Sequence, residues 1–400
     1  MMYDILLIFF VIIFIYASVN ILYIFIAAVA GHVKKSPVYL ISRDKKRIAV
    51  LITSYKEDEV IVHTARMAAA HNYPKKYFDV FLAADQLKPG TLQALSKLDI
   101  ILSVVHFENG SKARSLNNLL NAINETNYDI ALVLDGDNIM KNDFLEKINA
   151  AFQNNFKAVQ GHRTAKNINT PVAILDSVSE EINNHLFRKA QRRMGFSSST
   201  IGSGMAFEFK KLKQVYNKPG ILDNPACDRE VDFEMMKAGI VVEYIEDAYL
   251  LDEKVSKHQV YQNQRRRWLE SQVIHLRLFL REQVAGKTKD YWNKLFINLI
   301  PPRIIFIAFF LFVLITSLIQ SLFHLHFIFI PVTAWIILFT GYLFSMLLSI
   351  PRKLYTLRTA QALLSLPVLL FSFLKAATGM KAGRKEFVHT PKSYTESPKP

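Results

Sequence analysis

One pair of carboxylates in this 400-residue sequence has the spacing of a metal-binding turn. Asp135 and Asp137 flank a glycine directly after the apolar run 131–134. Two carboxylates on a tight turn at a strand end can bind a divalent cation, and Mg²⁺ or Mn²⁺ prefers such oxygen ligands. The alternative is a solvated Asp-Gly turn, because both residue types favour turns. Asp135 and Asp137 are therefore candidate ligands of Mg²⁺ or Mn²⁺.

A second acidic group lies farther along the chain. Asp228, Glu230 and Asp232 precede the helix-like stretch 233–239. One of these carboxylates could accept a proton as a general base. The alternative is a plain helix N-terminus, where acidic side chains are favoured by the helix dipole.

Cationic side chains that could bind a phosphate group occur at two places in the sequence. Lys112 opens a helical stretch, and a cation beside the free amides of a helix start suits a phosphate. Gln264, Arg267 and Trp268 form a denser group, in which the guanidinium could bind phosphate and the indole could stack on a sugar ring. The alternatives are a solvated basic helix face for Lys112 and, for the second group, basic charge against anionic lipid.

The elements that would position these residues alternate between strands and helices. Apolar runs at 48–52, 78–84, 100–107 and 130–134 are separated by helical patterns at 58–71, 91–98 and 112–124. This alternation predicts an α/β domain with a mostly parallel sheet. Ligands of such sheets bind beyond the carboxyl ends of the strands. We therefore expect Thr53, Tyr55, Glu57, Asp85 and Asp135 to lie near one another.

The apolar residues concentrate at both ends of the chain. Residues 5–30 and 304–351 contain no Asp, Glu, Lys or Arg, and the first run exceeds the roughly 20 residues that a spanning helix needs. These runs predict spans at 5–30, 303–323 and 328–350. A cleaved signal peptide is the alternative for the first run, whose length and lack of a basic start favour a retained helix. Residues 361–380 have basic flanks on both sides and are expected to form an interfacial or re-entrant helix.

The net charge of +15 is explained by basic residues that flank these spans. Because basic flanks stay on the cytoplasmic side, we expect the central domain and the C-terminus inside and the N-terminus outside. The basic residues form no patch interleaved with aromatic residues, which argues against nucleic-acid binding. The single cysteine, Cys227, excludes an internal disulfide.

Taken in order, these motifs resemble those of the family-2 glycosyltransferases, the membrane group that includes cellulose, chitin and hyaluronan synthases. Ceramide glucosyltransferases share a similar layout. The resemblance rests on a strand-end aspartate, Lys-Ala-x-x-Leu-Asn from Lys112, Asp-x-Asp, an acidic motif and Gln-x-x-Arg-Trp. The segment 387–392 also looks like the gating loop of cellulose synthases. The first strand departs from the family pattern, because Thr53 and Lys56 stand where Pro and Asn are usual.

The resemblance implies a GT-A fold, cytosolic and packed on the membrane, with a UDP-sugar as donor. Thr53, Tyr55, Glu57 and Asp85 would hold the uridine, and Lys112 would neutralise the diphosphate together with a metal at Asp135 and Asp137. Gln264 and Arg267 would also serve the donor, and Trp268 would lie under the acceptor beside Gly202, Ser203 and Gly204. Alignment of the acidic motif on Asp232 puts Glu230 at the position of the base, with Asp228 and Asp232 as rivals. A single displacement would invert the anomer and form a β-linkage.

The sequence predicts a division into five parts. They are a membrane helix at 1–32, a basic linker at 33–47, the catalytic domain at 48–285, a juxtamembrane segment with two helices at 286–350, and the interfacial helix, gating-like loop and tail at 351–400. The expected activity is sugar transfer to a polysaccharide at a bacterial inner membrane or a plasma membrane. The alternatives are transfer of one sugar to a lipid and a non-enzymatic nucleotide-binding membrane protein. A homo-oligomer or an export partner would also fit.

Overall fold

The computed structural model describes residues 2–33, 39, 44–224, 226–255, 258–281, 288–324 and 329–379. The gating-like loop expected at 387–392 lies outside the described residues. The strands are β1 Ile48–Tyr55, β2 Phe78–Asp85, β3 Ile101–Val105, β4 Ile130–Asp135, β5 Ile139–Met140, β6 Ala158–Ala165, β7 Met205–Glu208 and β8 Val242–Asp252.

The α-helices of the central region are α2 Ile61–Ala69, α3 Pro89–Leu95, α4 Lys112–Ala122, α5 Phe144–Gln153, α6 Pro171–Asn184, α7 Ala190–Arg193, α8 Phe209–Tyr216, α9 Cys227–Lys237, α10 His258–Arg281 and α11 Lys289–Leu299. At the ends of the chain lie α1 Met2–Val33, α12 Arg303–Leu322, α13 Val332–Leu348, α14 Leu357–Ala362 and α15 Leu366–Thr378. A π-helical turn, His185–Lys189, joins α6 to α7.

The strands form one mixed sheet in the order β3-β2-β1-β4-β7-β6-β8-β5. The pairs β1–β2, β1–β4, β2–β3 and β6–β8 are parallel, whereas β4–β7, β6–β7 and β5–β8 are antiparallel. The four predicted strands are present as β1 to β4, and the three predicted helices as α2, α3 and α4. The mostly parallel sheet that the sequence predicts is therefore confirmed.

Both faces of the sheet are covered, which explains why β1 is continuously apolar from Ile48 to Ile52. Ile48, Val50 and Ile52 pack on one face with residues of α2, α3 and α5. Ala49 and Leu51 pack on the other face with residues of α4, α8 and α9. A strand buried on both sides needs a continuous apolar run rather than an alternating one.

Three helices of the described residues are long and apolar enough to cross a membrane. They are Asp4–Val33, Arg303–Leu322 and Leu357–Thr378, the last formed by α14, a short 3₁₀ turn and α15. This set differs from the sequence prediction in one member. The membrane span expected at 328–350 is α13, which has only 17 residues. The segment expected to lie at the membrane interface instead belongs to the 22-residue helix Leu357–Thr378.

The apolar helices and the α/β domain form a shared core. Residues of α1, α6, α12 and α13 belong to one buried cluster. The hydroxyl of Tyr23 in α1 donates to Asn293 Oδ1 of α11 at 2.8 Å. Helix α14 packs on α6, and α15 packs on α10 and α12. The terminal helices are therefore fixed against the domain that carries the candidate site.

Candidate active site

The carboxyl ends of β1 and β4 lie side by side and open into one cavity. Thr53 pairs with Asp135 in the parallel register of these strands. The cavity has a volume of about 1360 Å³. It is lined by most of the predicted site residues, namely Thr53, Tyr55, Glu57, Lys112, Asp135, Asp137, Gly202, Asp228, Asp232, Gln264, Arg267 and Trp268. Neighbouring strand ends thus bring together residues that are far apart in the sequence.

Lys112 connects the helix α4 to the β4 turn. The helix begins after Ser111, whose Oγ caps it by accepting from the Arg114 N–H at 3.2 Å. The Lys112 ammonium donates to Asp135 Oδ1 and to the Gly202 carbonyl, the latter at 2.6 Å. Burial is the largest single influence and lowers the pKa of Lys112, but Asp135, Cys227 and Asp228 together outweigh it and raise the pKa above the ordinary lysine value. Lys112 is therefore a cation held at the first residue of a helix.

Hydrogen bonds to neighbouring residues fix the turn that carries Asp135 and Asp137. The Asp135 N–H donates to Ser203 Oγ at 3.0 Å. Asp137 is only 3% exposed, and its Oδ1 accepts from Asn138 Nδ2 at 3.1 Å. The same Asn138 amide donates to Asp252 Oδ1 at 2.9 Å. Asn138 therefore fixes the Asp137 carboxylate relative to β8.

The donor set of this turn fits a hard divalent cation. The described residues contain no cluster of three or more His, Cys, Asp or Glu side chains that could enclose a metal alone. Asp135 and Asp137 both line the cavity and offer carboxylate oxygens. Mg²⁺ typically takes one or two carboxylates and completes its shell with substrate phosphates and water. Asp135 and Asp137 would hold such an ion. Within the protein itself, the Lys112 ammonium group neutralises the charge of the Asp135 carboxylate.

Three glycines allow close approach around the cavity. The ring of Tyr55 lies against Gly110, where an added Cβ would be 2.7 Å from Tyr55 Cδ1. At Gly202 an added Cβ would be 3.1 Å from Asp228 Oδ2. Both glycines have positive φ, 58° and 84°, which favours glycine further. At Gly136 an added Cβ would overlap the Glu57 carboxylate.

The three acidic residues of α9 have different surroundings. Asp228 lines the cavity beside Gly202 and Lys112. Glu230 does not line the cavity, and its Oε2 accepts from Asn224 Nδ2 at 2.6 Å. Asp232 lines the cavity but forms a salt bridge with Lys294 at 2.6 Å. Of the three rival carboxylates, Asp228 and Asp232 therefore face the cavity and Glu230 faces Asn224, and the choice of base among them stays a prediction.

Helix α10 presents the Gln-x-x-Arg-Trp motif to the cavity. Gln264, Arg267 and Trp268 all line it, and Gln264 Oε1 is buried with no hydrogen-bond partner among the described residues. Burial lowers the pKa of Arg267, and the carboxylates of Asp228 and Asp135 oppose that effect. Arg265 is ion-paired with Asp176, and its guanidinium carbon is 4.1 Å from the Trp268 ring centroid. Arg265 thereby fixes the indole.

Three predicted site residues lie behind the cavity wall. Asp85 is fully buried, its Oδ1 accepts from the Phe107 N–H at 3.1 Å, and its Oδ2 has no hydrogen-bond partner among the described residues. Burial raises the pKa of Asp85. Ser203 and Gly204 do not line the cavity, and their carbonyls accept from Gln160 Nε2. Ser203 and Gly204 therefore lie beneath the β4 turn, and contact of this segment with an acceptor stays a prediction, with Gly202 as its member at the cavity surface.

The sequence prediction missed a charged network and the apolar part of the cavity wall. Lys254 forms salt bridges with Asp252 and Glu180, and Glu180 also pairs with Arg163 at 2.6 Å. This network lies in β6, α6, β8 and the segment just after β8, which the sequence prediction did not assign. The apolar wall is formed by α12, α13 and α15, and long-range packing of terminal helices leaves no local sequence signal.

Comparison with known proteins identifies relatives of this fold. A family model described as glycosyltransferase like family 2 matches residues 46–271. A search of curated protein sequences finds no match. Mannosyltransferase PcManGT from Pyrobaculum calidifontis, solved with GDP-Man and Mn²⁺, aligns with a TM-score of 0.60 and 16% identity over 93% of this chain and 97% of that chain. S. aureus TarS aligns with a TM-score of 0.43 and 16% identity over 62% and 43% of the two chains. The family match and the mannosyltransferase confirm the predicted GT-A fold.

Proposed function

Because the chain belongs to glycosyltransferase family 2, we propose that it transfers a sugar from a nucleoside-diphosphate sugar to an acceptor hydroxyl. The observation that carries this proposal is the convergence of complementary groups in one cavity. Lys112 and Arg267 are cations suited to a diphosphate, Asp135 and Asp137 are ligands suited to a metal, and Asp228 is a separate carboxylate.

The proposed donor is a UDP-sugar with its base near the ends of β1 and β2. The Oδ2 of Asp85 lies behind this rim without a hydrogen-bond partner among the described residues, and a uracil N–H would donate to it once the covering side chains move aside on binding. Tyr55, packed on Gly110, offers a ring face beside this position. Thr53 and Glu57 line the same rim. These features support the assignment of the four residues to the nucleoside.

The diphosphate would lie between α4 and α10. Lys112 and Arg267 would neutralise the charge that grows on the leaving UDP, which lowers the barrier most when the cations are held in place beforehand. A Mg²⁺ or Mn²⁺ ion bound to Asp135 and Asp137 would supply Lewis-acid stabilisation of the diphosphate. The buried amide oxygen of Gln264 would accept a hydrogen bond from the nucleotide sugar.

We assign the base role to Asp228 rather than to Glu230. Its carboxylate faces the cavity beside Gly202, whereas Glu230 bonds to Asn224. As the acceptor oxygen bonds to the anomeric carbon, the bond to the diphosphate oxygen breaks, and Asp228 takes the acceptor proton. Attack from the face opposite UDP would invert an α-linked donor to a β-linked product. Trp268 would contact the acceptor.

Two acceptor classes fit the cavity. The first is a polysaccharide, because the indole of Trp268 can stack on the apolar face of a sugar ring. A lipid fits the part of the cavity formed by α12, α13 and α15, whose apolar side chains extend the site toward the terminal helices. This second observation favours transfer to a lipid as the alternative function.

The test is a turnover assay with the purified full-length protein in lipid nanodiscs. UDP-sugars and GDP-mannose are supplied with Mn²⁺, and release of the nucleoside diphosphate is followed together with the radiolabelled product. We expect release from a UDP-sugar and a labelled polymer or lipid. Tight UDP binding without turnover of any donor would instead establish the non-enzymatic alternative.

A further inference from the structure

The indole that we expect to contact the acceptor belongs to a stack of side chains on α10. Tyr261, Arg265 and Trp268 follow one another at helical spacing, so their side chains project from the same face of this helix. The Arg265 guanidinium carbon lies 4.5 Å from the Tyr261 ring centroid and 4.1 Å from the Trp268 ring centroid. The cation therefore contacts two aromatic rings, and all three side chains line the cavity.

A carboxylate from another helix fixes the cation in this stack. Asp176 of α6 accepts a hydrogen bond from Arg265 Nη2, and the two side chains form an ion pair. Asp176 is 6% exposed and Arg265 is 7% exposed, so water does not readily replace either partner. Because a guanidinium is planar, a carboxylate bound at its edge also restricts the direction of its faces. Asp176 therefore fixes the plane on which the indole stacks.

Apolar packing fixes the ring on the other side of the cation. Tyr261 is buried in a cluster with Leu175 of α6, Ala362 of α14 and Leu369 of α15. The position of the Tyr261 ring is thus determined by three neighbouring helices as well as by α10. Arg265 therefore packs on a ring that has little freedom to move.

Trp268 itself is less constrained than the side chains beneath it. It is half-buried and forms no hydrogen bond with another residue that the structure describes. Its stacking on Arg265 is therefore the contact that defines the orientation of the indole. The attraction requires the cation to lie over the ring face, so a guanidinium that is free to move would also release the indole.

We propose that Asp176 and Tyr261 are positioning residues, which hold Arg265 so that the Trp268 indole faces the acceptor in one orientation. The proposal rests on the proposed glycosyl transfer, in which Trp268 contacts the acceptor. Misplacement of a bound reactant by about 1 Å can lower a reaction rate by about 100-fold. An indole that rotates should therefore slow transfer without weakening donor binding.

Fluorine NMR tests the orientation of the indole directly. The full-length protein is labelled with 5-fluorotryptophan in phosphatidylcholine nanodiscs and should give one resonance for each of Trp268, Trp292 and Trp335. Trp268→Phe assigns the first of these. We expect Asp176→Asn to shift or broaden the Trp268 resonance and to leave the other two unchanged, which also shows that the variant is folded. An unchanged Trp268 resonance, or equal changes in all three, would overturn the role of Asp176.

Two matched comparisons separate positioning from general packing. Glu180→Gln removes a buried carboxylate of the same helix that pairs with other cations of the cavity wall, so the Trp268 resonance should be unchanged. Tyr261→Phe keeps the ring and should retain the wild-type resonance, whereas Tyr261→Leu removes the ring and should shift it. A shift in Glu180→Gln as large as that in Asp176→Asn would overturn the proposal. The same Trp268 resonance in both Tyr261 variants would overturn the role of that ring.

Transfer rate and UDP affinity relate the orientation to function. Asp176→Asn and Tyr261→Leu should lower transfer of the radiolabelled sugar by roughly tenfold or more and keep wild-type UDP affinity. A wild-type transfer rate in Asp176→Asn, or a loss of UDP affinity as large as the loss of rate, would overturn the proposal. Absence of turnover in the wild-type protein, with the expected changes in the Trp268 resonance, would contradict the proposed function alone and leave the positioning of the indole supported.

Discussion

The carboxylates of Asp228 and Glu230 lie two residues apart in α9 but have different surroundings. Positions i and i+2 of a helix do not face the same way. Asp228 borders the cavity beside Gly202, and Glu230 accepts from Asn224. The sequence shows three acids in one short motif but not how the helix rotates them, so alignment alone could not distinguish their surroundings.

This difference makes a direct prediction. Asp228→Asn preserves size but cannot accept a proton, so transfer should fall by about 10²–10⁴-fold, a typical loss for a general base. Glu230→Gln is the matched control and should keep most of the transfer rate. UDP affinity, measured beside the rate, should be nearly unchanged in both variants. A severe loss in Glu230→Gln with a functional Asp228→Asn would restore the original alignment.

Asn138 is predicted to act through Asp137. Its side-chain amide contacts Asp137 and Asp252, and residues that orient a metal ligand typically affect metal affinity by about 10–100-fold. Asn138→Ala should therefore weaken Mn²⁺ binding in the presence of UDP by roughly that factor. Titration calorimetry would measure the change, and Asn142→Ala, at an exposed position, provides the control. Wild-type Mn²⁺ affinity in Asn138→Ala would argue against Asp137 as a ligand.

At the scale of elements, the loop between β3 and α4 is expected to shape the donor site. Gly110 and Gly220 both have positive φ, 58° and 89°, so an alanine is strained at either position. Only at Gly110 would the added methyl group meet the ring of Tyr55. Gly110→Ala should therefore lower UDP affinity by more than Gly220→Ala, at which no atom lies within 4 Å of the added carbon. Fluorescence titration with UDP would compare them, and equal affinities would exclude a role for Tyr55 packing.

The elements that could be predicted from the sequence are those with a continuous local pattern. β1, β2 and β4 are apolar runs because both faces of the sheet are covered. β6 could not be identified in this way, because Gln160, His162 and Arg163 interrupt it and are satisfied by partners distant in the sequence. The motif residues were therefore found, while the strands and helices that complete the cavity were not.

At the scale of the whole molecule, we propose that the α/β domain lies on the cytosolic side and that α14 and α15 lie at the membrane interface. Length and apolar composition alone would let Leu357–Thr378 span the bilayer. However, α14 packs on α6 and α15 packs on α10, and both partners carry residues of the active-site cavity. Contact with the catalytic domain along this segment favours the interfacial position.

Cysteine labelling of intact cells would test this topology. The native Cys227 is buried, which raises its pKa to about 12, so it should react slowly. A membrane-impermeant maleimide should label His324→Cys from outside, because residue 324 follows α12, and should not label Asp143→Cys or Gly379→Cys. Labelling at residue 379 from outside would show instead that the segment 357–378 spans the membrane.

For a lipid acceptor, the apolar wall of the cavity built by α12, α13 and α15 changes which concentration governs the reaction rate. An acceptor that enters from the bilayer is diluted by neighbouring lipid rather than by the volume of the solution. Turnover should then follow the mole fraction of acceptor in the membrane. Addition of inert phosphatidylcholine at a constant total amount of acceptor should slow the reaction, although the bulk concentrations of acceptor, sugar donor and protein are unchanged. Donor saturation, measured from the aqueous side, should remain the same.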